Sequence, residues 1–211
     1  ASDTILLHFC ANMRRLTGID PAILDFPQIG LAVSGGPDSM ALMLLAHMAL
    51  PKAIRVATVE HGLRPEAANE AVYVARLCAE RGIPHAILKP ESPITGNLQS
   101  AAREARYRLL NHWADAQGLR WIATAHHADD QLETLLMRIA RGSGIAGLSA
   151  IRECNGRIIR PLLSFTKAQL IAACQEQGVT PCEDPSNANV DFDRVQVRNW
   201  LKSAPPLLDA V

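Results

Sequence analysis

Residues 30–46 read GLAVSGGPDSMALMLLA. Gly30 to Val33 closes an apolar run. Ser34 to Ser39 is a short polar knot with two glycines, and Met40 to Ala46 is apolar and made of helix formers. This order predicts a buried strand, a tight loop and a helix N-terminus. Gly35 and Gly36 let the backbone turn sharply and bring N–H groups close to a bound anion. Pro37 suits the first helical turn, where its missing N–H costs little. The hydroxyls of Ser34 and Ser39 add donors, and the helix end adds partial positive charge, so the string predicts a phosphate cradle. The plainer alternative is a strand-to-helix turn capped by Asp38 or Ser39. The loop is neither a Walker A sequence, since it has no lysine, nor a G-x-G-x-x-G fingerprint. Asp38 would repel phosphate unless a divalent cation lay between them. It is expected at a solvent-facing loop end.

Outward from this loop the pattern alternates. Helices are predicted over Thr4–Arg15, Asp38–Leu50, Pro65–Arg81, Leu98–Gln117, Asp129–Arg141, Lys167–Gln177 and Phe192–Lys202. Strands are predicted over Ile29–Val33, Ile54–Val59, Ile83–Leu88 and Leu119–Ala125, with a short one at Ile158-Ile159. Strands alternating with helices of a dozen residues mean βαβ units, hence an α/β, doubly wound, Rossmann-like parallel sheet. Such sheets bind ligands beyond the carboxyl ends of their strands. Polar residues collect there three times: SGGPDS, EHGLR (60–64) and AHHADD (125–130).

The 211 residues are enough for one α/β domain with a sizeable core. Lysine plus arginine equals aspartate plus glutamate at 21 each, so a basic surface for nucleic acid must be local. The five cysteines are scattered and include no C-x-x-C pair, which argues against a disulfide framework and a cysteine-held metal. No apolar run approaches membrane-span length and no signal peptide opens the chain, so a cytoplasmic protein without membrane partners is expected. The chain opens on Ala1, not Met, and trimmed ends are expected.

Three further segments carry chemistry. In 125-AHHADDQLET-134, His126 and His127 end a strand, and Asp129, Asp130 and Glu133 fall in the next helix's first turns. Acids favour that position anyway. Adjacent histidines do not easily share one metal, so Mg²⁺ or a substrate amine suits the acids better than zinc. Glu60, His61 and Arg64 close the second strand. In 99-QSAAREARYRLL-110, Arg103 and Arg106 lie one turn apart and could jointly hold phosphate, while Glu104 and Arg108 form an i,i+4 pair. Arg138, Arg141, Arg152, Arg157 and Arg160 surround the RGSGIAGL loop as a local RNA-backbone footprint, although each alone is ordinary surface.

SGGPDS resembles the SGG-x-DS loop of the N-type ATP pyrophosphatases, the PP-loop family. EHGLRPEA, QSAAREARYRLL, AHHADDQLETLLMRIARGSG, RPLL and EDPSNANVDFDR follow in the order found in its tRNA(Ile)-lysidine synthase branch. The likeness spans Gly30 to Arg198. It implies an ATP- and Mg²⁺-dependent ligase acting on tRNA(Ile) with a CAU anticodon. The wobble cytidine O2 would be adenylated, and free L-lysine would displace AMP to leave lysidine. By this resemblance Ser34, Gly35, Gly36, Pro37, Asp38, Ser39, His61 and Arg64 hold the nucleotide. Asp38, Arg103, His126, Asp129, Asp130 and Glu133 serve catalysis, with Asp38 and Asp129 on metal. Arg106, Glu133, Arg194 and Arg198 bind substrate. Residues 1–190 would be the catalytic domain, and 191–211 the start of a helical linker to C-terminal tRNA-binding domains. A homodimer is admitted. Glu60, Cys182 and Val195 depart from the usual residues of the branch. Two alternatives stay open: a cytidine 2-thiolase, which needs C-x-x-C pairs, and a non-catalytic nucleotide-binding protein.

Overall fold

The computed structural model describes residues 2–18, 26–62, 65–90, 98–142 and 151–182. Among the described residues six strands form one sheet: β1 (Ile29–Ala32), β2 (Ile54–Val59), β3 (His85–Leu88), β4 (Trp121–Ala123), β5 (Cys154–Asn155) and β6 (Ile158–Ile159). Their order is β3-β2-β1-β4-β6-β5. All pairings are parallel except that of β5 with β6. Six helices among the described residues accompany them: α1 (Ser2–Thr17), α2 (Pro37–Ala49), α3 (Pro65–Glu80), α4 (Leu98–Ala116), α5 (Ala128–Ala140) and α6 (Lys167–Glu176). This is the α/β doubly wound fold expected from the sequence. The helix predicted over 192–202 lies outside the described residues.

Alternation along β1 assigns each side chain to a face. Ile29, Leu31 and Val33 join the larger core cluster with Phe9 and Met13 of α1, Val74 and Leu77 of α3, and Leu170 and Cys174 of α6. Helix α2 runs through this cluster, and Met40 to Ala46 are all buried. That is why its sequence is apolar all round. The opposite face is covered by α4, whose Leu110 and Trp113 pack with Leu119 and Ile122. Gly30 points there. A Cβ on it would lie 2.5 Å from Cζ3 of Trp113, so only glycine lets the ring lie on the strand.

β3 and β4 each start two residues later than predicted, for one reason. The N–H of Ile83 bonds to the Cys78 carbonyl and that of Leu119 to Ala114, which ties these residues to the ends of α3 and α4. The antiparallel β5 carries no hydrophobic alternation, because Cys154 and Asn155 are exposed. It was not legible as a strand for that reason. Among the described residues no helix is long and apolar enough to cross a membrane.

Candidate functional site

From β1 the chain steps to β2 and β3 on one side, while β4 and β6 lie on the other. The strand order therefore reverses between β1 and β4, whose paired residues include Leu31 and Ala123. A crevice beyond the carboxyl ends of these two strands is the ligand position of such a sheet. SGGPDS leaves β1 there and AHHADD leaves β4 there.

The first loop is braced from inside. The Ser39 hydroxyl is buried, accepts the Ser34 N–H at 3.1 Å and donates to the Gly36 carbonyl at 3.0 Å. Ser34 is exposed, with its hydroxyl 3.3 Å from that of Ser39. Gly35 has φ +96°, and its carbonyl accepts the Cys182 N–H at 2.9 Å. Only glycine adopts this backbone without strain. Pro37 takes the expected place at the start of α2, and Gly36 is its cap residue.

Asp38 is not the solvent-facing loop end that the sequence predicts; its side chain is 27% exposed. Its Oδ2 lies 3.5 Å from Nε2 of His127 and 3.4 Å from Nζ of Lys167. Its Oδ1 is buried with no hydrogen-bond partner. Burial opposes ionisation of Asp38, but His127 and Lys167 outweigh it and hold the carboxyl below its ordinary value. For His127 burial acts downward, and Asp38, Asp130 and Asp129 together outweigh it and raise the imidazole's pKa. Asp130 also accepts the His127 backbone N–H at 3.0 Å, which satisfies one of the N–H groups at the start of α5.

The two adjacent histidines diverge. His126 turns its Nδ1 to the Thr124 hydroxyl at 3.0 Å, while His127 is buried against Asp38. Asp129 is half-buried, and Glu133 is the one fully buried side chain of α5. Gln131, from the same motif, clamps the backbone of Ile151 with both ends of its amide, at 3.0 and 2.6 Å.

A second group gathers at the end of β2. Glu60 is buried, pairs with Lys89 at 2.6 Å and accepts the Gly62 N–H at 3.0 Å. Both ring nitrogens of His61 are buried and have no hydrogen-bond partner among the described residues. Burial lowers its pKa, the nearby charge of Arg106 lowers it further, and Glu60 partly opposes them. Arg106 is thus brought to His61, whereas Arg103 lies over the Tyr107 ring at 5.2 Å. Arg64, Arg194 and Arg198 lie outside the described residues.

The arginines around the 142–150 segment are not a uniform free patch. Arg160 is buried and donates to the Arg152 carbonyl at 2.6 Å, and Arg157 pairs with Asp115 at 2.5 Å. Both are spent on the fold. Sequence reasoning missed Lys167, which lies four residues after the RPLL segment but far in the chain from SGGPDS and AHHADD. The only local signal was its place right after Thr166 in a T-x-x-Q capping box.

The profile of the PP-loop domain matches residues 7–204. Curated relatives named tRNA(Ile)-lysidine synthase come from several bacteria. That of Rhodopseudomonas palustris is 51% identical over 83% of this chain and 54% of its own length. For Zymomonas mobilis the identity is 46%, over 84% of this chain and 56% of the relative. For Orientia tsutsugamushi it is 40%, over 94% and 46%. The chain thus spans about half the length of the relatives it matches. Among solved structures, the U34-tRNA thiolase NcsA from Methanococcus maripaludis with its [4Fe-4S] cluster superposes with TM-score 0.76 at 16% identity. That match covers 95% of this chain and 73% of the thiolase. An NH3-dependent NAD synthetase from Campylobacter jejuni gives 0.55 at 14% identity, covering 97% and 88%. At these identities the two structures speak for the fold alone.

Proposed function

This chain belongs to the PP-loop domain family, and from that premise we propose that it binds ATP in the β1/β4 crevice and carries the adenylating centre of a tRNA(Ile)-lysidine synthase. The observation that carries the reading is the meeting of Asp38, from the first loop, with His127, from the second, at 3.5 Å. Two motifs remote in sequence form one polar site at the switch point. The names and identities of the curated relatives support the same reaction.

The chemistry has two substitutions. The O2 of the wobble cytidine attacks the α-phosphorus of ATP; an O–P bond forms, the bond to the β-phosphate breaks, and pyrophosphate leaves. The amine of L-lysine then attacks C2 of the adenylated cytidine. The C2–O bond breaks, AMP leaves, and the amine gives up a proton. Adenylation is needed because the cytidine oxygen is a poor leaving group until it carries phosphate.

The exposed Ser34 hydroxyl and the N–H groups around Gly35 and Gly36 suit the polyphosphate. His61 has two unsatisfied ring nitrogens for the nucleotide, with Arg106 beside it. Asp129, Asp130 and Glu133 offer carboxylates for the lysine amine. The unpartnered, buried Oδ1 of Asp38 fits a divalent cation. Mg²⁺ is typically held by one or two carboxylates plus substrate phosphates, so Asp38 with Asp129 would be enough. No cluster of three or more His, Cys, Asp or Glu with metal-binding geometry occurs among the described residues. When bound, the cation supplies charge neutralisation for the pyrophosphate. We take the cytoplasm, where ATP, tRNA and free lysine meet, as the compartment.

The test is product analysis with ATP, radiolabelled L-lysine and tRNA(Ile). We expect AMP and pyrophosphate, with lysine joined to the tRNA. ADP and orthophosphate as sole products would refute the reading. Sulfur transfer to tRNA without lysine incorporation would favour the thiolase alternative, and nucleotide binding without turnover the non-catalytic one.

A further inference from the structure

Ser39 holds two groups of the phosphate loop from inside, the Ser34 N–H and the Gly36 carbonyl. The peptide between Gly35 and Gly36 is held from outside. Its carbonyl accepts the Cys182 N–H at 2.9 Å. The peptide is trans and planar, so the Gly36 N–H points the opposite way, away from Cys182. Glycine stands on both sides of it, and no Cβ opposes its rotation. A flip would put a carbonyl oxygen where the N–H now stands. An anion is attracted by the first arrangement and repelled by the second.

The outer tie is itself anchored. After α6 the Val179 N–H bonds to the Cys174 carbonyl, and the Val179 side chain is buried in the larger core. From there the chain runs to Cys182 beside α3. The Tyr73 hydroxyl of α3 donates to the Thr180 carbonyl at 2.7 Å. The Tyr73 ring packs against the core, and the Arg76 guanidinium lies over it at 5.7 Å. Val74, the next residue of α3, is fully buried. A Cβ on Gly35 would stand 3.6 Å from Cγ2 of Val74 and 3.4 Å from Sγ of Cys182. Helix α3 thus meets the loop twice: directly through Val74, and through residues 180–182 by way of Tyr73. Asp38 meets His127 from the other side of β1, where β4 lies.

We propose that Tyr73 is a positioning residue for the ATP phosphates. It touches no substrate. Through Thr180 and Cys182 it locks the Gly35–Gly36 peptide in the orientation that turns the Gly36 N–H into the crevice. This rests on the ATP-binding reading above.

Calorimetric titration of the full chain with Mg·ATP and, separately, AMP tests it, with amide exchange of Cys182 followed by NMR. Tyr73→Phe removes one hydroxyl and keeps the ring. It should weaken Mg·ATP about three- to tenfold, the worth of one hydrogen bond. AMP, which lacks the outer phosphates, should stay within about twofold. Exchange of the Cys182 amide should quicken by about three- to tenfold. Cys182→Pro, which deletes the N–H that holds Gly35, should weaken Mg·ATP at least as much, and Tyr73→Phe should add little to it. Unchanged ATP affinity in a Tyr73→Phe chain of lowered unfolding midpoint would overturn the proposal, because Tyr73 would then serve only the fold. Equal weakening of ATP and AMP would overturn it, as would unchanged exchange of the Cys182 amide. Failure of the wild-type chain to bind Mg·ATP would instead overturn the ATP reading itself.

Discussion

Nε2 of His127 sits 3.5 Å from Oδ2 of Asp38 and joins the loop after β1 to the loop after β4. The contact crosses the point where the strand order reverses, so it exists only if β1 and β4 are neighbours. It explains why Asp38 is half-buried and why both groups are biased toward their charged forms.

Replacing Asp38 therefore affects more than a loop end. Asp38→Ala should abolish Mg²⁺-dependent nucleotide turnover and leave His127 facing no loop carboxylate. Stability should fall by about 1–3 kcal/mol, the usual cost of stripping a buried polar group of its partner. Denaturant unfolding and AMP release measure the two effects. A variant with normal turnover would mean that Asp38 serves only the start of α2.

Gly30 makes a purely structural prediction. A Cβ 2.5 Å from Cζ3 of Trp113 cannot be accommodated without moving the ring or the strand. Gly30→Ala should cost about 1–3 kcal/mol, the range for overpacking a core. Adding Trp113→Leu, which removes the ring, should make the second effect of Gly30→Ala smaller. A double-mutant cycle by chemical denaturation checks the coupling, and strict additivity would contradict the packing.

His61 gives a pH prediction. Burial and the charge of Arg106 hold its pKa below the ordinary 6.5. The unfolded chain then takes up a proton before the folded one does. The stability it contributes is present above pH 6.5 and is lost as the pH falls from there toward the folded pKa. Arg106→Gln should raise the His61 pKa, and Glu60→Gln should lower it. Titration of the imidazole resonances by NMR reads both shifts, and opposite signs would mean that the charges act elsewhere.

The charge balance bears on tRNA. Net charge is zero, and Arg157 and Arg160 are engaged by Asp115 and the Arg152 carbonyl. We expect residues 1–211 to bind tRNA weakly and with steep salt dependence. A protein spanning the relatives' full length should bind substantially tighter. Equal affinities at physiological salt would place the recognition surface within these residues.

The sequence by itself determined most of the elements and the nature of the loops between them. Hydrophobic periodicity is local, so β2 emerges with the bounds read from IRVATV and α2 within a residue of its prediction. The SGGPDS loop is equally local, because glycine, proline and serine act through their own backbone and hydroxyls. What only tertiary structure decided is which distant groups meet. Lys167 reaches Asp38 because α6 packs beside α2, and the charge of Arg106 acts on His61 because α4 packs on β2. Arg160 is buried with its guanidinium on the Arg152 carbonyl, and Gly30 is obligatory because Trp113 arrives from α4. No local pattern encodes these pairs: they follow from strand order and from the way helices fill the two faces of the sheet, which is a property of the whole core.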